Sequence, residues 1–317
     1  MKQSFYSLLH RLLIKKSGFR FKNKLFQKLW QAVWDFSVNS YKGAINYRLY
    51  GESIIMNNGY LYPLYINTFY SYNHPLIEIT YQVFKCKKVP INYVDIGAAI
   101  GDTMLLLFKA CPDMINFFYC IEGDDEFYYY QTYNLRNHSN GKLIKALLSD
   151  QNSKKEKSLI RTHSGTASAQ GNRLTEAVTL DELLLERYPV DGIDLIKIDV
   201  DGLDGKVING AKKLIYKFKP AIIFEFHPIL IKKTGNSIHL PFWELVNHGY
   251  TSFIFFDKYG KFNHLHYHIN NEEIDFLNQL CLRGYYHNDW HYDVISIHNS
   301  SHINIVELAE STYSSRF

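Results

Sequence analysis

From residue 92 onward the chain alternates short apolar runs with amphipathic segments, and this alternation constrains the fold more than any other feature. Asn92–Ile96, Phe117–Glu122, Leu143–Leu148, Asp194–Val200, Ala221–Phe226, Ser252–Phe256 and Asp293–Ile297 read as strands. Asp102–Ala110, Asp125–Asn137, Thr179–Tyr188, Leu203–Tyr216, Phe242–Gly249 and Glu272–Arg283 read as helices. In Leu203–Tyr216 the apolar residues Leu203, Val207, Ile208, Ala211, Leu214 and Ile215 fall on one helical face. Thr179 followed by Glu182 is a capping box that opens its helix. Apolar strands alternating with helices predict an α/β fold, a mostly parallel sheet covered on both faces.

The segment before this region differs. Residues 4–36 read as amphipathic helix, split near Gly18, with Leu8, Leu9, Leu12 and Leu13 on one side and Leu25, Leu29, Trp30, Val33 and Trp34 on another. Residues 45–68 alternate apolar and polar with turns at Gly51 and Asn57-Asn58-Gly59, which predicts a small β-meander. His74–Lys85 reads as a lead-in helix. The expected organisation is an arm over 1–45, meander and lead-in helix over 46–88, a main domain over 89–300, and a polar, frayed tail over 301–317. No Pro-, Gly- or Ser-rich linker and no internal repeat interrupts it.

Charge is unevenly placed. Residues 1–34 hold eight basic side chains (Lys2, Arg11, Lys15, Lys16, Arg20, Lys22, Lys24, Lys28) and no acid, leaving 27 basic against 31 acidic side chains in the rest. A body without a basic stripe disfavours nucleic acid as a partner. The arm suits either an anionic membrane surface or packing against the body or a second subunit in a homodimer. The 46% hydrophobic content suffices for a large core. The 25 Tyr and 21 Phe accompany abundant Lys and Asn and read as AT-rich codon drift; a sugar- or base-stacking surface would need clustering in space. Cys86, Cys111, Cys120 and Cys281 show no C-x-x-C spacing and read as reduced thiols. No secretory h-region or run of about 18 apolar residues occurs, so the expected location is cytoplasmic, including the inner face of the membrane.

The first chemistry-bearing motif is Val94-Asp95-Ile96-Gly97-Ala98-Ala99-Ile100-Gly101-Asp102-Thr103. Gly97 permits a tight exit from the strand, and Gly101 permits close backbone approach at the next helix start. Glu122 ends the following strand, 21 residues past Gly101, where a carboxylate can accept both hydroxyls of an adenosine ribose. Two ligands fit such a turn. A dinucleotide wants G-x-G-x-x-G, whose second glycine admits a pyrophosphate; here that place is Ala98 or Ala99. The acid Asp95 suits a cationic ligand such as S-adenosylmethionine better than a pyrophosphate.

A second block follows: Thr179-Leu180-Asp181-Glu182-Leu183, then Asp194-Leu195-Ile196-Lys197-Ile198-Asp199-Val200-Asp201-Gly202-Leu203-Asp204, then Ile222-Ile223-Phe224-Glu225-Phe226-His227. Together with the first motif this resembles the FkbM family of methyltransferases over about residues 90–230. The resemblance implies a class I methyltransferase fold, Rossmann-like, with a mostly parallel seven-stranded sheet. It also implies S-adenosylmethionine as donor and O-methylation, often of sugar hydroxyls in glycans or glycoconjugates, as in polysaccharide biosynthesis. By position it assigns Asp95, Gly97, Ala98 and Gly101 to the donor's methionine end and Glu122 to its ribose. Ser149-Asp150 would face the adenine; Asp150 reads equally as a turn residue. The family's loop Asn is Ala99 here, and its two glutamates are Asp201 and Asp204.

For the acceptor, Lys197, Asp199 and Asp201 fall on one side of the fourth strand by alternation, as a cluster that orients or deprotonates a hydroxyl, or as a salt-bridged strand end. His227 is a second base candidate or a hydrogen-bonded loop histidine. The small-residue loop Thr162–Asn172, with His163, reads as a lid or a plain connection. His264, His266, His268, His287 and His291 fit no metal spacing, and Asp199 with Asp201 lacks a third ligand, so no metal is expected. The rival functions are a nicotinamide-dependent oxidoreductase and a non-catalytic scaffold of the same fold in a glycan-biosynthesis complex.

Overall fold

The computed structural model describes residues 2–16, 23–157, 160–163, 166–168, 174–283 and 290–311. The chain opens with helices α1 (Lys2–Lys15) and α2 (Lys24–Ser40), the latter capped by the Asn23 side chain, which accepts from Leu25 N–H at 2.8 Å. They pack together through Leu13, Ile14, Trp30 and Trp34, and Trp30 Nε1 donates to the Leu13 carbonyl. An antiparallel hairpin follows, β1 (Ala44–Leu49) and β2 (Glu52–Asn57), then the short helix α3 (Tyr62–Thr68) and the lead-in helix α4 (His74–Lys87). The expected meander is thus a two-stranded hairpin and a helix. Pro63 in the first turn of α3 has no N–H to offer a third strand and fixes a helical φ.

The alternating region runs β3 (Ile91–Ile96), α5 (Asp102–Ala110), β4 (Ile115–Glu122), α6 (Asp125–Asn134) and β5 (Gly141–Lys145). Next come β6 (Leu147–Leu148), β7 (Ser153–Lys157), β8 (Ile160–His163), β9 (Thr166–Ser168) and β10 (Leu174–Val178). A π-helical turn at Glu182–Arg187 leads to β11 (Leu195–Ile198), α7 (Asp204–Asn209), α8 (Lys212–Phe218) and β12 (Ala221–Phe226). The chain ends with α9 (Pro228–Lys233), α10 (Leu240–Asn247), β13 (Tyr250–Asp257), β14 (Phe262–Tyr267), α11 (Asn271–Leu282), β15 (Tyr292–His298) and α12 (Ile305–Ser311).

The main sheet has the order β14-β13-β15-β12-β11-β3-β4-β5. The five strands from β12 to β5 pair in parallel, and β15 and β14 run against them. All seven expected strands contribute to this sheet, and β14 adds an eighth at its edge. Side chains alternate between two cores. Ile91, Tyr93, Leu195, Ile223 and Ile295 face one, with α4 and α5; Val94, Ile96, Ile196, Ile198 and Phe224 face the other, with α7, α8 and α10. Both faces are therefore dry, as the unbroken apolar runs require.

Several elements depart from the sequence reading. Leu143–Leu148 is cut at Ala146: β5 joins the main sheet, while β6 pairs in parallel with β10 in a second, three-stranded sheet. In the expected lid, Ile160–His163 and Thr166–Ser168 pair antiparallel; 164, 165 and 169–172 lie outside the described residues. Only half of the capping box forms: Thr179 Oγ1 accepts from Glu182 N–H, while the Glu182 carboxylate takes Arg187 at 2.5 Å instead. The single helix Leu203–Tyr216 is two, because Gly210 lets the Ser149 carbonyl into the space a Cβ would need, 2.2 Å away. The tail is not frayed throughout: α12 buries Leu308 completely, and Glu307 pairs with Lys85 of α4 at 2.7 Å. His264 and His266 lie on β14, where His264 stacks on Phe255 at 4.4 Å. Cys111, Cys120 and Cys281 are buried and Cys86 is exposed, all as free thiols.

Candidate active site

Four neighbouring strands each place one charged residue on the α4 face of the sheet, near the edge where the parallel strands end. Strand alternation puts Asp95 after Tyr93, Lys197 after Leu195, Glu225 after Ile223, and Asp293 before Ile295. Register sets them side by side: Lys197 lies opposite Asp95, and Glu225 opposite Asp293. Between them and the N-terminal turn of α4 opens a small cleft, lined by Tyr72, Lys197, Asp199, Glu225, His291 and Asp293 among others.

Lys197 organises the centre. Its ammonium lies 3.2 Å from Asp199 Oδ2 and 3.5 Å from Asp95 Oδ1. Burial pulls its pKa down, but Asp199 and Asp95 outweigh burial and hold it above the ordinary lysine value. Lys197 is therefore a fixed cation at neutral pH and no base. Asp95 is fully buried and accepts from the Thr103 hydroxyl. Its carboxylate is sealed from solvent, and the Asp199 side chain, 48% exposed, is the accessible acid of the trio. Two carboxylates around one ammonium leave one negative charge facing the cleft.

The carboxylates opposite are forced toward neutrality. Burial, then repulsion from Asp199, pushes Asp293 up to about 7. Burial, then Asp199, Asp201, Asp204 and Asp293, pushes Glu225 well above the carboxylate range. Like charges directly opposite on paired strands are costly and mark a site that needs them there. His291 Nε2 stands 3.4 Å from Glu225 Oε1 and lines the cleft. His227 is buried, stacks on His291 at 5.0 Å and does not line the cleft. Asp201 also stays outside the lining: β11 ends at Ile198, so strand alternation no longer aims Asp201, which sits in a left-handed turn with φ of 52°.

In the sequence, Glu225 stands only as part of the family-like strand, His291 only in a histidine group without metal spacing, and Asp293 only as the start of a strand; none of the three is marked as an active-site residue. The criterion that selected Lys197, a charge within a buried strand, also selects Glu225 and Asp293. His291 carried no such signal, because it precedes β15 in a segment without periodicity.

Beside the cleft lies the turn after β3. Gly97 has φ of 74°, and a Cβ there would sit 1.9 Å from the Asp199 carbonyl oxygen, so this glycine lets β3 and β11 exit side by side. At Gly101 the added Cβ would meet the Leu135 side chain at 2.9 Å, so this glycine serves helix packing as well as the helix start. Glu122 closes the turn: Oε2 accepts from Ala99 N–H at 2.9 Å and Oε1 from Asp124 N–H at 2.7 Å. Burial pushes its carboxyl up to about 7 against those two hydrogen bonds. The hairpin buttresses the same turn. Asn134 donates to the Ile100 and Ile55 carbonyls and accepts from Ile55 N–H, and Tyr60 donates to Asp102, whose carboxyl burial holds at about 6. Ala98 is buried in the turn. Ser149 donates to Asp150 at 3.2 Å, its N–H donates to the Val178 carbonyl, and its own carbonyl lies close against Gly210.

The family described as the methyltransferase FkbM domain matches residues 95–252, from the first acid of the cluster to β13. The chain carries an FkbM methyltransferase domain. It is an S-adenosylmethionine-dependent methyltransferase, with the class I arrangement of parallel strands and covering helices. Among solved structures, the precorrin-6y C5,15-methyltransferase of Geobacter metallireducens is 12% identical, with 70% of this chain and 87% of that one covered at a TM-score of 0.36. A methyltransferase FkbM of Methylobacillus flagellatus is 14% identical, with 73% of this chain covered and a TM-score of 0.36; the match spans 52% of that protein. An O-methyltransferase of Bacillus cereus in complex with S-adenosylhomocysteine is 11% identical, with 72% and 80% covered and a TM-score of 0.40. No curated protein matches the chain by sequence. Among the described residues, no helix is long and apolar enough to cross a membrane, and no group of three His, Cys, Asp or Glu is placed to hold a metal.

The residues present fit the donor of this domain. The Glu122 carboxylate accepts from backbone N–H groups of the turn, and its four lone-pair sites leave acceptor capacity that a ribose hydroxyl could use. The net negative charge of the Asp95–Lys197–Asp199 trio suits a sulfonium and an ammonium group.

Proposed function

We propose that this FkbM methyltransferase transfers a methyl group to a hydroxyl of a carbohydrate or glycoconjugate. The observation that carries this reading is the cleft's lining of Asp199, Glu225, Asp293 and His291, hydrogen-bond acceptors and ionisable groups in place of an apolar pocket. A polyhydroxyl acceptor satisfies several such groups at once, and Tyr72 borders the same cleft.

The donor supplies a methyl group on a sulfonium, already a good leaving group, so the chain's task is alignment and proton removal. Glu122 would hold the donor's ribose and the turn Gly97–Gly101 its methionine end; Ser149 and Asp150 stand as the adenine-side residues, and Asp199 as the acid nearest the donor's cationic groups. Lys197 fixes Asp199 and stays protonated. Asp293, with a carboxyl near 7, takes the proton from the acceptor hydroxyl as the oxygen–methyl bond forms and the sulfur–methyl bond breaks. Glu225 and His291 position the hydroxyl, with His227 stacked against His291 as its support, and Asp201 adds charge from the adjoining turn.

Incubation with methyl-labelled donor and a panel of free sugars, nucleotide sugars and lipid-linked oligosaccharides tests the reading. A labelled methyl ether on a sugar is expected; label only on an amine would sink it. On that acceptor, the rate should rise with pH through about 7 as Asp293 loses its proton. Asp293→Asn should lower kcat by about 10²–10⁴ and flatten that rise. An unchanged pH profile would move the base elsewhere. For the donor, Glu122→Ala should weaken S-adenosylhomocysteine binding about 5- to 150-fold in calorimetry, through loss of charged hydrogen bonds. Unaltered affinity would count against the ribose contact.

A further inference from the structure

We propose that the two-helix arm docks on an anionic lipid bilayer surface, an inference independent of the acceptor's identity. The arm is tied to the body on one side only. Ser7 Oγ accepts from Asn46 N–H of β1, Asn67 of α3 donates to the Ile14 carbonyl, and His10 packs on Trp34 and Tyr47. These contacts use the faces bearing Ser7, His10, Leu13, Ile14, Trp30 and Trp34, all buried.

The opposite faces are apolar and bare. On α1, Phe5, Leu8 and Leu12 are 57%, 54% and 52% exposed. Their spacing of three and four residues makes them one stripe. On α2, Leu25, Leu29 and Phe36 are 72%, 59% and 61% exposed, at offsets of four and seven that also fall on one line. Water-facing stripes of this kind on both helices of one packed unit are not explained by the arm's own core.

Charge selects the occupant. Lys2, Arg11, Lys15 and Lys16 on α1 and its end, and Lys24 and Lys28 on α2, are exposed and flank the apolar stripes. The only acid in the described arm residues is Asp35, which accepts from Gln31. An apolar stripe bordered by cations suits anionic headgroups above acyl chains. A second copy of the arm would bring the same cations into opposition.

The test uses the full chain and sedimentation with phosphatidylcholine vesicles, pure or with 30% phosphatidylglycerol. Binding is expected only to the anionic vesicles and should weaken as salt rises. Leu25→Glu with Leu29→Glu, and separately Lys24→Glu with Lys28→Glu, should each lower partitioning about 10-fold or more, with thermal melting unchanged because all four side chains are exposed. Binding that neither pair alters would overturn the assignment. So would failure to bind, whether the chain is then a monomer or a dimer that Leu25→Glu with Leu29→Glu dissociates; the second result would give the stripe to another copy.

Discussion

Gly97→Ala should destabilise the protein by roughly 2–5 kcal/mol, through a left-handed φ imposed on alanine and a Cβ driven into backbone. The added carbon would lie 1.9 Å from the Asp199 carbonyl oxygen, which β11 holds in place, so relief requires β3 and β11 to part. Gly235 provides the control. It has the same φ of 74° with nothing within 4 Å of an added Cβ, so Gly235→Ala carries the conformational cost alone, about 1–2 kcal/mol. Thermal melting should fall by roughly 4–10 °C for Gly97→Ala and about 2 °C for Gly235→Ala. Equal shifts would show that the close approach of the two strand exits costs nothing. Because the clash falls on Asp199, donor affinity should fall in Gly97→Ala and hold in Gly235→Ala.

Lys197→Met should be about as costly. The side chain keeps nearly the same length but removes the ammonium that pairs with Asp95 and Asp199. Breaking a buried pair by removing one partner costs roughly 3–5 kcal/mol, because the surviving charge stays buried without compensation. The sign of the pH dependence follows. Without Lys197, buried Asp102 and Asp293 lose the cation that holds their raised carboxyl values down, so both rise further above their unfolded values. A carboxyl raised in this way costs stability once pH exceeds the unfolded value, and the cost grows until pH passes the folded value. The variant's deficit in urea denaturation should therefore be larger at pH 8 than at pH 5. A deficit that does not change with pH would mean that the trio is held by packing and not by charge.

The two variants probe one junction, where β3 and β11 end together. Much of that junction was legible in the residues. The glycine after Asp95, the acid at Glu122 and the charged residues within Asp194–Asp201 each violate the pattern of a buried strand or a plain turn, and such violations point to chemistry. The violation at Glu225 and Asp293 is the same in kind, but its meaning depends on their facing each other. β12 and β15 are separated by 65 residues in sequence, and β15 inserts between β12 and β13, which no local pattern announces. His291 was hidden for a related reason: its contacts with Glu225 and His227 cross between strands and loops.

Exposure was likewise undecidable from periodicity. The sequence marks Asp95 and Asp199 as two acids beside glycines, alike in chemistry. Packing then buries Asp95 wholly under Lys197 and Thr103 and leaves Asp199 at the cleft. In the arm, helical spacing identifies apolar faces on both helices, yet only the placement of β1 and α3 shows which face is covered.

By itself, then, the sequence determined the alternating α/β plan, the turn from Asp95 to Gly101, the acid at Glu122 and the strand bearing Lys197 and Asp199. These are local facts, written in periodicities of two and 3.6 residues and in glycines that backbone geometry demands. Tertiary structure alone decided that Asp95 is sealed, that Lys197 stays charged, that Glu225, Asp293 and His291 complete the cleft, and that Asp201 and His227 stand outside it. Those outcomes depend on which strands become neighbours and which carboxylates share a dry space, and desolvation and charge repulsion act across space without regard to distance along the chain.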